Sequence, residues 1–167
     1  MKKEKLSHID NKGNPKMVDV SEKEVTRRMA RAQAVVFLGK KILKAIKNNE
    51  LITKKGPVFQ TAIIAGVTSA KKTADLIPFC HPLGLDDCQV RITVKGERVI
   101  IETEARVTAR TGVEMEALTA ASIAALTVYD MCKALSHDIV IEEVKLLEKR
   151  GGKKDFFKVM ATKALIK

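Results

Sequence analysis

The sequence predicts an α+β fold, an antiparallel sheet packed by helices, and three observations carry that prediction. Cys88 to Val94 and Arg98 to Val107 alternate apolar and polar residues around Lys95-Gly96-Glu97, the pattern of a hairpin with one buried face. Val113 to Leu135 contains neither Pro nor Gly and is rich in Ala, Leu and Met, which predicts one long helix entered through Thr111-Gly112. Ile139 to Leu147 then supplies a last strand before Gly151-Gly152.

The remaining elements follow in chain order. Residues 1–16 hold Lys, Asn, Gly and Pro with little apolar periodicity and are expected to form a flexible arm. Glu24 to Val36 has two readings. Ser21 with Glu24 makes a capping box for a helix, while Thr26, Arg28, Ala30, Ala32 and Ala34 also fit a period-two strand. Leu38 to Asn48 is predicted helical, with Leu38, Ile42, Leu43 and Ile46 on one side and Lys40, Lys41, Lys44 and Lys47 towards water. Gly56-Pro57 ends a loop and offers the proline favoured in a first helical turn, so Val58 to Asp75 is a helix. Pro78 and Pro82 bracket Phe79-Cys80-His81 and hold that triplet out of regular structure. With the first segment taken as a strand, the order is β-α-α-β-β-α-β, a ferredoxin-like sandwich with one additional helix. One domain is expected over 17–155, with a basic tail over 156–167.

Charge and cysteine content narrow the function classes. Thirty-one Lys and Arg against twenty Asp and Glu give a formal charge of +11, which concentrates polyanions near the surface, whether RNA or a nucleotide. One Tyr, five Phe and no Trp leave few stacking platforms for single-stranded RNA, and the hairpin strands have no aromatic residue. Cys80, Cys88 and Cys132 match neither a disulfide framework nor a zinc spacing and are read as reduced thiols. His8, His81 and His137 are too scattered for a sequence-local metal cluster, so no protein metal site is expected. The start lacks the apolar stretch of a signal peptide and no eighteen-residue apolar run occurs, so a cytoplasmic protein with no membrane partner is expected.

On a wheel of about 100° per residue, Glu116, Thr119, Ser122, Asp130 and Lys133 fall within one sector of the long helix. Opposite lie Ala117, Ala120, Ala121, Ala124, Ala125, Val128 and Cys132, small enough for close packing. A plain solvent face explains many such stripes, but this one is narrow, mixes signs and uses short Thr, Ser and Asp. The stretch TGVEMEALTAASIAALTVYDMCKA, Thr111 to Ala134, closely resembles the central helix of the cyclic pyranopterin monophosphate synthase family, the molybdenum cofactor biosynthesis protein C family. So does AGVTSAKKTADLIPFCHPL, Ala65 to Leu83. SHIDNKGNPKMVDVSEKEVTRRMARA near the start and KRGGK near the end extend the resemblance over nearly the whole chain.

The resemblance implies a lyase that converts 3′,8-cyclo-7,8-dihydroguanosine triphosphate into cyclic pyranopterin monophosphate and diphosphate, in molybdenum cofactor biosynthesis. It also implies a ferredoxin-like subunit in a homohexamer, a trimer of dimers with sites at the dimer interface, acting downstream of a radical SAM GTP cyclase. It favours the strand reading of Glu24 to Val36. No resident cofactor is implied, and the residues leave open whether magnesium accompanies the triphosphate.

Site residues carry over position by position. Asp130 and Lys133, spaced i and i+3, share a helix face and match the family's catalytic acid/base pair, where the bland reading is a surface ion pair. Phe79, Cys80 and His81 match the substrate-contacting loop, with His81 as hydrogen-bonding group and Cys80 shaping the pocket. Met115 and Glu116, with Glu114 beside them, match a second substrate segment whose carboxylates can accept the N–H groups of a guanine-derived ring; acids in a first helical turn otherwise serve the helix dipole. Lys55, Lys71 and Lys149, with Arg28, match positions at the anionic end of the pocket. Gly151-Gly152-Lys153 lets backbone N–H groups approach a phosphate. After Lys153 the family continues Ser-Gly, and this chain has Lys154-Asp155 instead. Glu116 and Asp130 are about 21 Å apart along one helix, so they serve different subunits or opposite ends of a long substrate. The other classes weighed are a basic ferredoxin-like RNA-binding module and a structural partner without activity.

Overall fold

The computed structural model describes residues 12–158. Its strands are β1 (Thr26–Phe37), β2 (Ile52–Thr53), β3 (Gly56–Pro57), β4 (Asp87–Lys95), β5 (Arg98–Ala109), β6 (Val140–Arg150) and β7 (Phe156–Phe157). Its helices are α1 (Gly39–Leu43), α2 (Val58–Ala70), α3 (Thr73–Leu76) and α4 (Glu114–Cys132). The main sheet runs β4-β5-β1-β6-β7 with every neighbouring pair antiparallel, and β2 with β3 forms a separate small hairpin. Taking the four long strands in chain order, this is the ferredoxin-like arrangement, with the first strand central and the β4-β5 hairpin at one side.

The ambiguous segment is a strand because its even positions have a face to bury. Ala30, Ala32, Ala34 and Val36 are fully buried, and across the register lie Val99, Ile101, Thr103, Ala105 and Val107 of β5. Ser21 does not cap a helix; its N–H and hydroxyl both donate to Asp19 Oδ1. A capping box is a local preference of about a kcal/mol, while burying several apolar side chains contributes about 1.5–3 kcal/mol each for residues such as Val and Ile.

Helices α2 and α4 cover that face. The α4 residues Ala117, Ala120, Ala121, Ala124, Ala125, Val128 and Cys132 have no exposed surface, as the small-residue face requires. Packing is close: a Cβ added at Gly66 of α2 would meet Val90 Cγ2 at 3.0 Å and the Ala120 carbonyl oxygen at 3.1 Å. Thr103 Oγ1 donates to the Ala117 carbonyl at 2.8 Å, which ties sheet to helix and satisfies a buried hydroxyl.

Two predicted helices are shorter than their patterns. The Leu38–Asn48 reading is corrected to α1 plus tight turns, in which Ala45 N–H donates to Ile42 O and Ile46 N–H to Leu43 O. Asn48 and Asn49 adopt φ of 49° and 59°, reversing the chain so that Lys47 and Glu50 exchange backbone hydrogen bonds at 2.9 Å. Asparagine tolerates this left-handed region, and two such residues in succession end a helix outright. Val58–Asp75 is corrected to α2 and α3, separated at Lys71-Lys72. There the Ser69 and Thr73 hydroxyls donate to the carbonyls of Gly66 and Ala70, a competition that disfavours continuing the helix. β7 falls inside the stretch read as a tail; residues 1–11 of the arm and 159–167 of the tail lie outside the described residues.

Among the described residues, no helix covers the other face of the sheet. Arg31 lies there within 3.5–3.9 Å of Glu102, Glu104 and Glu148, so cations and acids alternate across the strands.

Candidate active site

Helix α4 positions both groups of candidate residues, one at each end. At its C-terminal end, Lys133 follows the last helical residue, where a cation is favoured by the helix dipole. Its Nζ lies 2.8 Å from Asp130 Oδ1. Lys55, at the tip of the β2-β3 hairpin, places Nζ 2.6 Å from Asp130 Oδ2 and also donates to the Asp130 backbone carbonyl at 3.0 Å. One carboxylate is therefore held between two ammonium groups.

That arrangement fixes the charge states. The hydrogen bond from Lys133, then that from Lys55, lowers the Asp130 carboxyl from 3.8 to about 2. The same hydrogen bond to Asp130 raises Lys133 above its ordinary value. At neutral pH Lys133 carries its proton and Asp130 carries none, so the cluster can donate a proton and match developing negative charge. The cluster is not sheltered within one chain: Asp130, Lys133 and Lys55 side chains are each about half exposed, at 53%, 57% and 50%.

At the N-terminal end, Glu114 Oε1 accepts from Lys149 Nζ at 3.0 Å. Glu116 is 3% exposed, and burial, reinforced by Glu114, raises its carboxyl above the ordinary range. Cys80 is raised by its own burial and by the charge of Glu116, which makes it a poor thiolate. Glu116 and Lys71 line a cleft of about 300 Å³ with Thr73, Pro82 and Gly84, so the Pro-bracketed loop meets the start of α4. His81 Nε2 lies 2.9 Å from the Val18 carbonyl oxygen, which requires the Nε2-protonated form and leaves Nδ1 for another partner. Phe79 and Met115 are exposed, at 43% and 36%.

The glycine loop lies at this same end. Gly151 has φ +81°, and a Cβ there would stand 2.0 Å from the Arg27 carbonyl oxygen, so only glycine fits. Thr26 Oγ1 donates to the Gly151 carbonyl, and Arg28 Nε donates to the Ala109 carbonyl, leaving the rest of the guanidinium beside Gly152. Lys153 is exposed on the loop. Asp155 accepts from Gly151 N–H at 3.1 Å and closes the loop from within.

Residues 17–152 match the family model described as the MoaC family. The chain belongs to that family. Proteins named cyclic pyranopterin monophosphate synthase from Xanthomonas campestris pv. campestris strain B100 and Xanthomonas axonopodis pv. citri strain 306 are 52% and 51% identical to it over 152 residues, which cover 90% of this chain and 92% of each relative.

Within this MoaC-family chain the candidate residues do not converge on one point. Glu114, Glu116, Cys80, Lys71, Arg28 and Lys149 lie around the start of α4, and Lys55 joins Asp130 and Lys133 at its end. Within one chain Lys55 lies apart from Lys71, Lys149 and Arg28, because the hairpin that carries it packs at the far end of α4. Two contributions have no sequence signal, the Val18 carbonyl that fixes His81 and the loop closure by Asp155; both depend on how distant segments meet.

Proposed function

We propose that this chain acts as a cyclic pyranopterin monophosphate synthase, converting 3′,8-cyclo-7,8-dihydroguanosine triphosphate into cyclic pyranopterin monophosphate and diphosphate in the cytoplasm, downstream of a radical SAM GTP cyclase. The observation that carries this reading is Asp130 held between Lys133 and Lys55. A triphosphate gives a cyclic monophosphate and diphosphate when an oxygen of the same molecule attacks the α-phosphorus. The new P–O bond forms, the bond to diphosphate breaks, and the proton of the attacking hydroxyl leaves with the diphosphate. Lys55 and Lys133 beside the reacting groups would match charge on the phosphoryl oxygens, and Lys133, kept charged by Asp130, would hand a proton to a ring nitrogen during rearrangement.

The other end of α4 suits the guanine-derived ring and the remaining phosphates. Glu116 and Glu114 offer acceptors to ring N–H groups, His81 offers a ring nitrogen, and Phe79, Met115 and Cys80 shape the walls. Arg28, Lys71, Lys149 and Lys153 offer cations. Since about 21 Å of helix separates the two groups, the reading requires a composite site in which one chain's Asp130 end faces its neighbour's Glu116 end, consistent with a homohexamer built from dimers. The half-exposed Asp130 cluster supports this, because a partner surface would supply the missing shelter.

The RNA-binding reading is the weaker one. The open sheet face intersperses Glu102, Glu104 and Glu148 among its arginines, and β4 and β5 present no aromatic side chain. Incubating the purified chain with the cyclised GTP substrate and assaying diphosphate tests the proposal; a folded protein that binds RNA and releases no diphosphate would reverse the order of the two readings.

A further inference from the structure

The segment that delivers Lys55 also carries a concentration of charge that the site residues leave unused. Between Leu38 and Pro57 stand Lys40, Lys41, Lys44, Lys47, Lys54 and Lys55 against one acid, Glu50, so twenty residues hold a surplus of five of the chain's eleven net positive charges. Glu50 does not neutralise them. Its carboxylate accepts the backbone N–H groups of Leu51, Phe59 and Gln60 and caps the start of α2. Lys40 lies 3.6 Å from Glu97, and Lys55 is held by Asp130. Lys41, Lys44 and Lys47 are exposed and have no carboxylate within 4 Å among the described residues. The buried Ile42 anchors the segment beneath them.

The fold puts this ridge at the Asp130 end of the molecule. Leu38 and Gly39 N–H groups donate to the Glu97 carbonyl in the β4-β5 turn, Glu50 caps the α2 end nearest the β2-β3 hairpin, and that hairpin reaches Asp130 through Lys55. Like charges gathered in one short segment repel, and the packing of that segment against the core comes from Ile42, Leu43 and Ile46.

We propose that Lys41, Lys44 and Lys47 form a capture ridge that draws the polyanionic substrate towards the Asp130 cluster without touching it in the bound state. This rests on the reading of that cluster as part of a triphosphate-handling site. A cleft flanked by one sign of charge raises local counter-ion concentration and association rates by about 10–10³-fold, and the effect fades with salt because the screening length falls from about 10 Å at 0.1 M to about 3 Å at 1 M. The lysines are positioning residues for encounter and have no part in the chemical step.

The test compares the full-length wild type with the Lys41→Gln/Lys44→Gln/Lys47→Gln triple variant and the corresponding triple Lys→Arg variant, across ionic strength. For the cyclised GTP substrate, kcat stays unchanged while kcat/KM of the Gln variant falls about tenfold at low salt and meets the wild type at high salt; the Arg variant follows the wild type throughout. Inorganic triphosphate, titrated calorimetrically, serves as a probe that needs no turnover, and its affinity loss follows the same salt dependence. Equal kcat/KM and equal triphosphate affinity at low salt overturn the capture ridge. Absence of turnover in the wild type, with triphosphate affinity still lost in the Gln variant, overturns the proposed reaction and leaves the ridge standing. If triphosphate affinity is unchanged but double-stranded RNA loses its affinity in the Gln variant, the ridge is a nucleic-acid surface and the proposal is overturned.

Discussion

Lys55 reaches across seventy-five residues of sequence to hold Asp130, its ammonium 2.6 Å from one carboxylate oxygen and 3.0 Å from the backbone carbonyl of the same residue. With Lys133 on the other carboxylate oxygen, Asp130 has both oxygens occupied by cations before any substrate arrives. The carboxylate thus serves to keep Lys133 charged and both lysines in place, a role that generates the first prediction.

Lys133→Ala is expected to lower turnover of the cyclised GTP substrate by at least about 10²-fold while leaving the fold intact, since the side chain is more than half exposed and buries no core contact. Diphosphate release and the circular dichroism spectrum of the variant measure the two halves of this statement. Full product formation in a folded variant removes Lys133 from the mechanism.

Asp130→Asn removes the charge that raises Lys133 and the carboxylate that pairs with Lys55. The expected result is loss of kcat together with a downward move of the alkaline limb of the pH–rate profile, because Lys133 then gives up its proton at lower pH. A variant that only binds substrate more weakly, with kcat and profile unchanged, makes Asp130 a group for substrate binding alone.

Glu116 gives a pH-dependent stability of defined sign. Its folded carboxyl is raised above the unfolded value by burial, so the protonated form favours the fold. This contribution is fully present below the ordinary glutamate pKa and is lost as pH rises through the raised folded value. Glu116→Gln should therefore show a stability advantage over wild type that grows from acidic to neutral pH in urea unfolding. A difference that is constant across pH contradicts burial as the cause.

Gly151→Ala is expected to destabilise the loop after β6 by about 1–3 kcal/mol, because a left-handed residue would gain a Cβ against the Arg27 carbonyl. Thermal unfolding reads the global effect. Triphosphate affinity, expected to weaken as Arg28 loses its place beside Gly152, reads the local one.

The composite site is tested by complementation. Glu116→Ala and Asp130→Ala chains, each inactive alone, are mixed under conditions that allow exchange. Mixed interfaces then contain some sites with both lesions and some with neither, and activity partly returns. No recovery despite demonstrated exchange means that each site is built within one chain.

Much of the fold was legible because period-two and helical patterns record which side of an element is buried. The alternation around Lys95-Gly96-Glu97 became β4 and β5, and the alanine-rich face of α4 became its fully buried side. The residues matching the family could be named by position, and Asp130 with Lys133 could be paired from i, i+3 spacing alone. Local sequence left undecided whether Glu24 to Val36 is strand or helix, since both patterns were present and only the β5 and β6 partners settle it. It overextended α1 and α2, because two left-handed asparagines and two back-bonding hydroxyls end helices through backbone geometry that apolar periodicity does not record. It also gave no sign that Lys55 meets Asp130 within the chain. Which end of α4 receives that lysine depends on the path of the β2-β3 hairpin, a contact between segments far apart in the chain, and such contacts are fixed by how layers pack and not by the residues on either side.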